Sequence, residues 1–345
     1  MLVPARRSCL SLLVLSLWMG LTATACRPAA QQEVVVYTAL DQEFSESHFD
    51  TFHKQTGVEV VAKYDTEANK TVGLTEALLA EKDRPRCDVF WNNEILNTLR
   101  LQKAGLLAAY QPKHQDQYPA SFRSANGFWF GFAARARILL VNTDLLAEGK
   151  RPTSVFDLAD EKWKDQGGYA KPMFGTTATH AAVLFAELGE DRAKEFFTQL
   201  QSYAKMLPGN KQVAQAVSRG EIAFGLTDTD DAMVEIQSGR PVTIVYPDQA
   251  DDGLGTLFIP NTLAIIQGGP NPEAARQLVD TLLSAEVETT LARGPSAQIP
   301  LNTQLDIPLQ VESPKTIRAM EVDWEASVDQ WDNAAEFLRE KILTN

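Results

Sequence analysis

Val34-Val35-Val36-Tyr37, followed by Phe44, His48, Phe49 and Phe52 and then Gly57, is the stretch that decides the fold. The β-branched run has the length of a short strand; the four rings recur at helical spacing, and Gly57 supplies a stop. The unit then repeats. Residues 58–61 read as a strand, 71–80 as a helix, Asp88-Val89-Phe90-Trp91 as a strand, and 95–103 as a helix ended by Gly105. Strands alternating with helices of this length predict right-handed crossovers and a parallel sheet covered on both faces.

A second set follows. Residues 129–132 and 138–141 read as two strands, and Ser154-Val155-Phe156-Asp157 as a capped helix start. Residues 181–188, 192–200 and 212–217 read as helices, and 222–226 and 242–246 as strands. Pro272 suits the first position of a helix over 274–283, and helices are expected at 316–320 and 324–343. Gly131, Gly167 and Gly168 read as turns. No repeat and no low-complexity linker separates the two sets, which fits a chain crossing between lobes more than once. Ligands of open α/β sheets bind beyond the carboxyl ends of strands, so the loops there are where chemistry is sought.

The N-terminus carries its own signal. Arg6 and Arg7 precede an apolar segment over 10–20, and Leu21-Thr22-Ala23-Thr24-Ala25 then leads to Cys26. This pattern predicts a lipoprotein signal over 1–25, lipidation at Cys26 and a short tether over 26–32, although Ala23 stands where leucine is usual. Nothing after the leader is long and apolar enough to span a membrane.

The net charge of −13 deepens once Arg6 and Arg7 leave, because no acidic residue leaves with them. Such a body argues against nucleic acid and anionic lipid surfaces as partners. Of three cysteines, Cys9 lies in the leader and Cys26 would carry lipid, so Cys87 alone remains and reads as a packed small hydrophobe.

Val34 to Tyr37, Cys87-Asp88-Val89-Phe90-Trp91-Asn92-Asn93-Glu94, Ala133-Ala134-Arg135-Ala136-Arg137 and Gly220-Glu221-Ile222-Ala223-Phe224-Gly225-Leu226 together resemble the ferric-iron-type periplasmic solute-binding proteins of ABC importers. The resemblance runs over roughly 34–300. It implies a type II two-lobed α/β fold, each lobe a mixed, mostly parallel sheet flanked by helices. Lobe 1 would hold 33–133 and 256–300, and lobe 2 would hold 134–255 and 301–345 with the C-terminal helices. It also implies a receptor that closes over a ligand, delivers it to permease subunits, works as a monomer and catalyses nothing.

Carried over residue by residue, the resemblance implies metal ligands at Asp41, Glu94, Asp230 and Asp231. The family's paired tyrosines fall on Asp230 and Asp231, so both phenolates are missing. Carboxylates in their place make an acidic cup suited to hard cations generally or to an ammonium group. Crowding them without a cation would raise their pKa values. Asp228 in Thr227-Asp228-Thr229-Asp230-Asp231 shares that loop, yet acids there also suit a helix start. Thr176 and Thr177, with Arg135, would hold an anion beside the metal. Tyr37 and Trp91 offer faces to an organic cation, though strand aromatics commonly serve the core.

Enzyme signatures are missing. The histidines at 48, 53, 114 and 180 show no metalloprotease spacing, and no nucleophile elbow, phosphate loop or dinucleotide fingerprint occurs. The expectation is a lipid-anchored receptor without a cofactor that takes iron or another metal as cargo. Its alternative is a receptor for a small zwitterionic or cationic solute such as an aminophosphonate, polyamine or thiamine. A hydrolase using paired carboxylates is the remotest option.

Overall fold

A computed structural model describes residues 32–65 and 72–344. The expected leader, Cys26 and all of the tether but Gln32 lie outside the described residues. The first repeat folds as its periodicity predicts. β1 (Glu33–Thr38) is followed by α1 (Gln42–Thr56), β2 (Glu59–Tyr64), α2 (Val72–Ala80), β3 (Val89–Asn92) and α3 (Leu96–Lys103). β1 lies between β2 and β3 and is parallel to both, with Val34 opposite Val60 and Val36 opposite Val89. Gly57 closes α1 in the left-handed conformation at φ 74°, which glycine enters without a Cβ penalty.

The two strands expected at 129–132 and 138–141 are one. β5 (Phe130–Asn142) follows the short β4 (Leu107–Ala108), and all thirteen of its residues are buried. Ala133 to Arg137, between the two expected strands, continues the strand, and both of its arginines are buried and ion-paired. The break is conformational only: Ala133 sits at φ 43°. Register along the antiparallel partner β10 (Phe258–Ile266) shifts between Ile259 and Asn261, as at a β-bulge.

β5 therefore belongs to two half-sheets. Its first part pairs with β10, which reaches β3; its last part pairs with β8 (Phe224–Asp228) and β9 (Val242–Val245). The strand order is β2-β1-β3-β10-β5-β8, then β6 (Gly167–Ala170) and β7 (Lys205–Leu207). The parallel sheet predicted for the first repeat is thus completed by an antiparallel strand from late in the chain. Phe90 and Trp91 enter different core clusters, as do Leu139 and Leu140. The sheet is apolar on both faces, as its unbroken hydrophobic runs require.

Gly131, Gly167 and Gly168 are strand residues, not turns. A Cβ on Gly167 would stand 2.7 Å from a Leu158 methyl, one on Gly168 2.5 Å from an Ile222 methyl, and one on Gly131 2.7 Å from the Phe122 carbonyl oxygen. Their role is close approach. α4 (Gly175–Leu188) begins six residues earlier than expected and takes in the whole threonine run. α5 (Glu190–Tyr203), α6 (Asn210–Ser218) and α7 (Thr229–Gln237) complete this half. Ser154 and Asp157 form the expected capping box, but on a 3-10 turn over Val155–Ala159.

Pro272 opens α8 (Pro272–Leu282) at its predicted position. α9 (Ala285–Arg293), capped by Ser284, was not anticipated. Residues 316–320 are not helical. The Thr316 hydroxyl donates to the Ser313 carbonyl and accepts from the Ser313 N–H, a local closure that competes with a helix; Ala319 then bridges to Thr256. α10 (Trp324–Phe337) is capped by Asp323 and packs on α4 and α3, running on into a π turn over Leu338–Ile342. Cys87 is fully buried and its thiol pKa is pushed far up by burial, as a packing role predicts. No described helix is long and apolar enough to cross a membrane.

Candidate functional site

Five strands end at one cleft of about 800 Å³. Beyond β1 comes Asp41, beyond β3 Asn93, beyond β6 Lys171 and the first turn of α4, beyond β7 Asn210 and Lys211, and beyond β8 Asp230 and Asp231. This is the position where open α/β sheets bind ligands. α4, α6 and α7 all begin here, and a helix N-terminus directs unpaired N–H groups and positive potential outward.

Two ion pairs stand one behind the other, because Arg135 and Arg137 are two residues apart on β5 and share a face. The inner pair is Arg137 with Asp228, Nη1 to Oδ1 at 2.7 Å, both essentially without solvent exposure. Thr176 donates its hydroxyl to Asp228 at 2.5 Å and Asn210 its amide at 3.0 Å, while Arg137 also reaches the Asn210 oxygen at 3.0 Å. Thr177 hydrogen-bonds the same Asn210 oxygen at 3.0 Å. The Asp228 carboxylate is thereby bound on both oxygens.

The outer pair, Arg135 and Asp230, is looser, at 3.4 Å, and lines the cleft. Burial works against the Arg135 charge. Asp230, Asp228, Asp231 and Asp41 more than offset that, so the guanidinium is held firmly protonated. Its Nε and Nη2 are buried and find no partner among the described protein groups. Arg137 is in the same position at Nε and Nη2, as are both nitrogens of His180. Burial, reinforced by the Arg137 charge, pushes the His180 pKa down to about 3.

Carboxylate oxygens of Asp228, Asp230 and Asp231 lie within 4.8 Å of one another. Asp230 also accepts the Asp231 N–H at 3.0 Å in the first turn of α7. The same loop therefore gathers three carboxylates and starts a helix.

Of the predicted residues, Asp41, Arg135, Thr176, Thr177, Asp228, Asp230 and Asp231 line the cleft. Glu94 does not. It is fully buried and accepts from the Asn92 amide at 2.7 Å, the Thr179 hydroxyl at 2.7 Å and the Asn97 N–H at 3.1 Å, so it organises the start of α3. Burial outweighs those bonds and raises its pKa. Tyr37 is also elsewhere: its hydroxyl lies about 3 Å from Glu81 and its ring carries the Lys63 ammonium at 4.2 Å. Trp91 is core, packed among Phe49, Phe132 and His48; the burial of His48 lowers its pKa.

Sequence reasoning missed Arg137 and Asn210. Strand periodicity from Arg135 was signal enough for the first; nothing local marked the second.

The family pattern for bacterial extracellular solute-binding proteins matches residues 48–318. The major ferric iron-binding protein of Neisseria meningitidis is 24% identical over 323 residues, covering 92% of this chain and 95% of that one. A putative 2-aminoethylphosphonate-binding periplasmic protein of Salmonella typhimurium is 25% identical over 284 residues, covering 78% and 80%. Iron-bound HitA from Pseudomonas aeruginosa superposes with a TM-score of 0.81 at 22% identity, covering 90% and 99%, and shares the two-lobed fold. The cleft beyond the strand ends, the shared fold and the matched pattern agree: the chain belongs to the bacterial extracellular solute-binding proteins, and it is a binding protein rather than an enzyme.

Proposed function

We propose that this protein is the exported receptor of an ABC importer and that its cleft captures a small organic solute bearing an oxyanion and a positive centre, the chemistry of an aminophosphonate. One observation carries the reading: the buried guanidinium of Arg135 lines the cleft with Nε and Nη2 unmatched by protein acceptors, while Nη1 faces Asp230. That edge is a fork for two oxygens of one oxyanion. Thr176, Thr177 and the start of α4 add donors and positive potential. Asp230, Asp231 and Asp41 would receive the ammonium group.

The size of the cleft supports an organic solute, since about 800 Å³ falls within the usual range of small-molecule pockets. Polyamines and thiamine offer no oxyanion to Arg135 and fit less well. A second reading, ferric iron or another metal as cargo with a synergistic anion, is favoured by the three clustered carboxylates and by the iron-binding relatives. Against it, Asp228 is committed to Arg137, Asp230 faces Arg135, and Glu94 is turned away. Among the described residues, no phenolate, the strong hard donor for Fe(III), replaces them in the cleft lining.

In this reading the halves carrying 33–133 with 256–300, and 134–255 with 301–345, close over the solute as a monomer. β5 and β10 form the connection between them. Closure follows from contacts made only in the closed form. The N-terminal signal would export the chain, and lipid on Cys26 would hold it near its permease.

A panel tests the reading by unfolding temperature and titration calorimetry: 2-aminoethylphosphonate, inorganic phosphate, ferric ion with and without phosphate, polyamines and thiamine. A true ligand raises the midpoint by mass action. The expected response is largest for the aminophosphonate and weaker for phosphate. A response to ferric ion alone, with none to the aminophosphonate, would transfer the assignment to metal.

A further inference from the structure

A second groove, of about 710 Å³, lies away from the cleft where α3, the segment 121–129, the last turn of α4 and the start of α10 meet. Its charge is one-sided. Glu187, Glu321, Asp323 and Glu325 line it, and Arg123, the one basic lining residue among the described residues, is engaged by Asp116 at 3.2 Å. Partial burial and the Asp323 charge both raise the Glu187 pKa, so these two carboxylates repel across the groove. Glu187 also sits at the C-terminal end of α4, where the helix dipole adds negative potential.

Hydrogen bonding supplies an independent sign of a ligand. Trp129 lines the groove at 4% exposure, and its indole N–H has no acceptor among the described residues. Gln102 donates its amide nitrogen to Glu325 at 3.2 Å, which fixes the amide orientation and leaves its buried oxygen without a donor. A donor seeking an acceptor and an acceptor seeking a donor thus flank four carboxylates. Trp324 adds an indole to the same wall.

We propose that this groove is a second binding site, for a guanidinium or ammonium group carried next to a carbonyl, the chemistry of an arginine or lysine residue. The cation lies between Glu187 and Asp323, the carbonyl accepts from Trp129, and an N–H of the ligand satisfies Gln102. The source is either a free basic amino acid or a basic side chain displayed by a partner polypeptide. The site is separate from the cleft and does not depend on what the cleft holds.

Calorimetric titration of the full chain with acetyl-L-arginine amide, free L-arginine and acetyl-L-glutamate amide tests the proposal. Saturable binding of the blocked arginine is expected, with none of the glutamate compound. The double variant Glu187→Gln, Asp323→Asn should weaken it about ten-fold or more, the loss of charge-assisted contacts. Asparagine keeps the cap of α10, so an unchanged unfolding midpoint shows that folding is intact. Trp129→Phe should weaken binding less, and Arg135→Ala, which disables the cleft, should leave it unchanged. Tighter binding of free L-arginine than of the blocked form identifies a free amino acid; equal or tighter binding of the blocked form identifies a displayed side chain. No saturable binding, equal binding of the glutamate compound, or undiminished affinity in the double variant overturns the site.

Discussion

Arg137 with Asp228 and Arg135 with Asp230 are neighbours on the same strand and helix start, yet they do different work. The inner pair is closed: 2.7 Å apart, unexposed, with Thr176 and Asn210 completing the carboxylate. The outer pair stands at 3.4 Å, with Asp230 15% exposed and one edge of Arg135 lacking protein acceptors. A charge can be kept in the interior because it is satisfied, or because a ligand is to satisfy it. Both guanidiniums leave Nε and Nη2 without a partner among the described residues; the pairs differ in that Asp228 is bound on both oxygens behind the cleft wall, whereas Arg135 and Asp230 line the cleft, and that separates scaffold from binding surface.

The largest expected effect breaks the inner pair. Arg137→Ala leaves the Asp228 carboxylate buried and short of its main partner, which costs about 3–5 kcal/mol of stability, read as a lowered urea midpoint. Arg135→Ala should cost clearly less stability, because its partner Asp230 stays 15% exposed to water. It should weaken binding of 2-aminoethylphosphonate by about ten- to a hundred-fold, the value of charged hydrogen bonds. If the two variants exchanged these phenotypes, the distinction between the pairs would be wrong.

A pH test sharpens it. His180 lies near Arg137 and is held neutral, with its pKa pushed from 6.5 down to about 3. Between those values the unfolded chain binds a proton that the folded one refuses, so this stability is full above about 6.5 and is lost as pH falls toward 3. Glu288, buried and pushed up from 4.5 to about 7, contributes the opposite slope over its own window. The readout is therefore the difference between wild type and His180→Leu: the acid-side loss should shrink in the variant, measured as denaturant midpoints at several pH values. The smallest effect belongs to Asp41→Asn, at the cleft edge. It should weaken binding of the amine-bearing ligand by less than about ten-fold, as partly screened charges do, and leave phosphate binding unchanged.

Much of this was legible in the sequence, for identifiable reasons. Helix and strand periodicity located the first repeat because each element keeps one pattern along its length. It failed at β5, where Arg135 and Arg137 mimic a polar break although each is paired with an acid far along the chain. Glycines 131, 167 and 168 carry the same symbol whether they turn the chain or admit a neighbour, and only packing tells the two apart. In the cleft, seven of the nine proposed ligand-contacting residues came together: Asp41, Thr176, Thr177, Asp230 and Asp231 follow strand ends, Asp228 is the last residue of β8, and Arg135 lies on β5 itself. Glu94 and Tyr37 did not, because a place just after β3, or near the end of β1, does not say which way the side chain turns. Glu94 turned inward to cap the start of α3, and Tyr37 turned to Glu81.

The central claim is that the free edge of Arg135 receives an oxyanion. The most direct measurement is the 15N–1H resonance of the Arg135 Nε–H group, assigned by its loss in Arg135→Ala, during titration with 2-aminoethylphosphonate. A saturable downfield proton shift, reporting a new charge-assisted hydrogen bond, is the predicted result. A resonance that stays in place while the ligand binds, or that moves only when ferric ion is added, would contradict it.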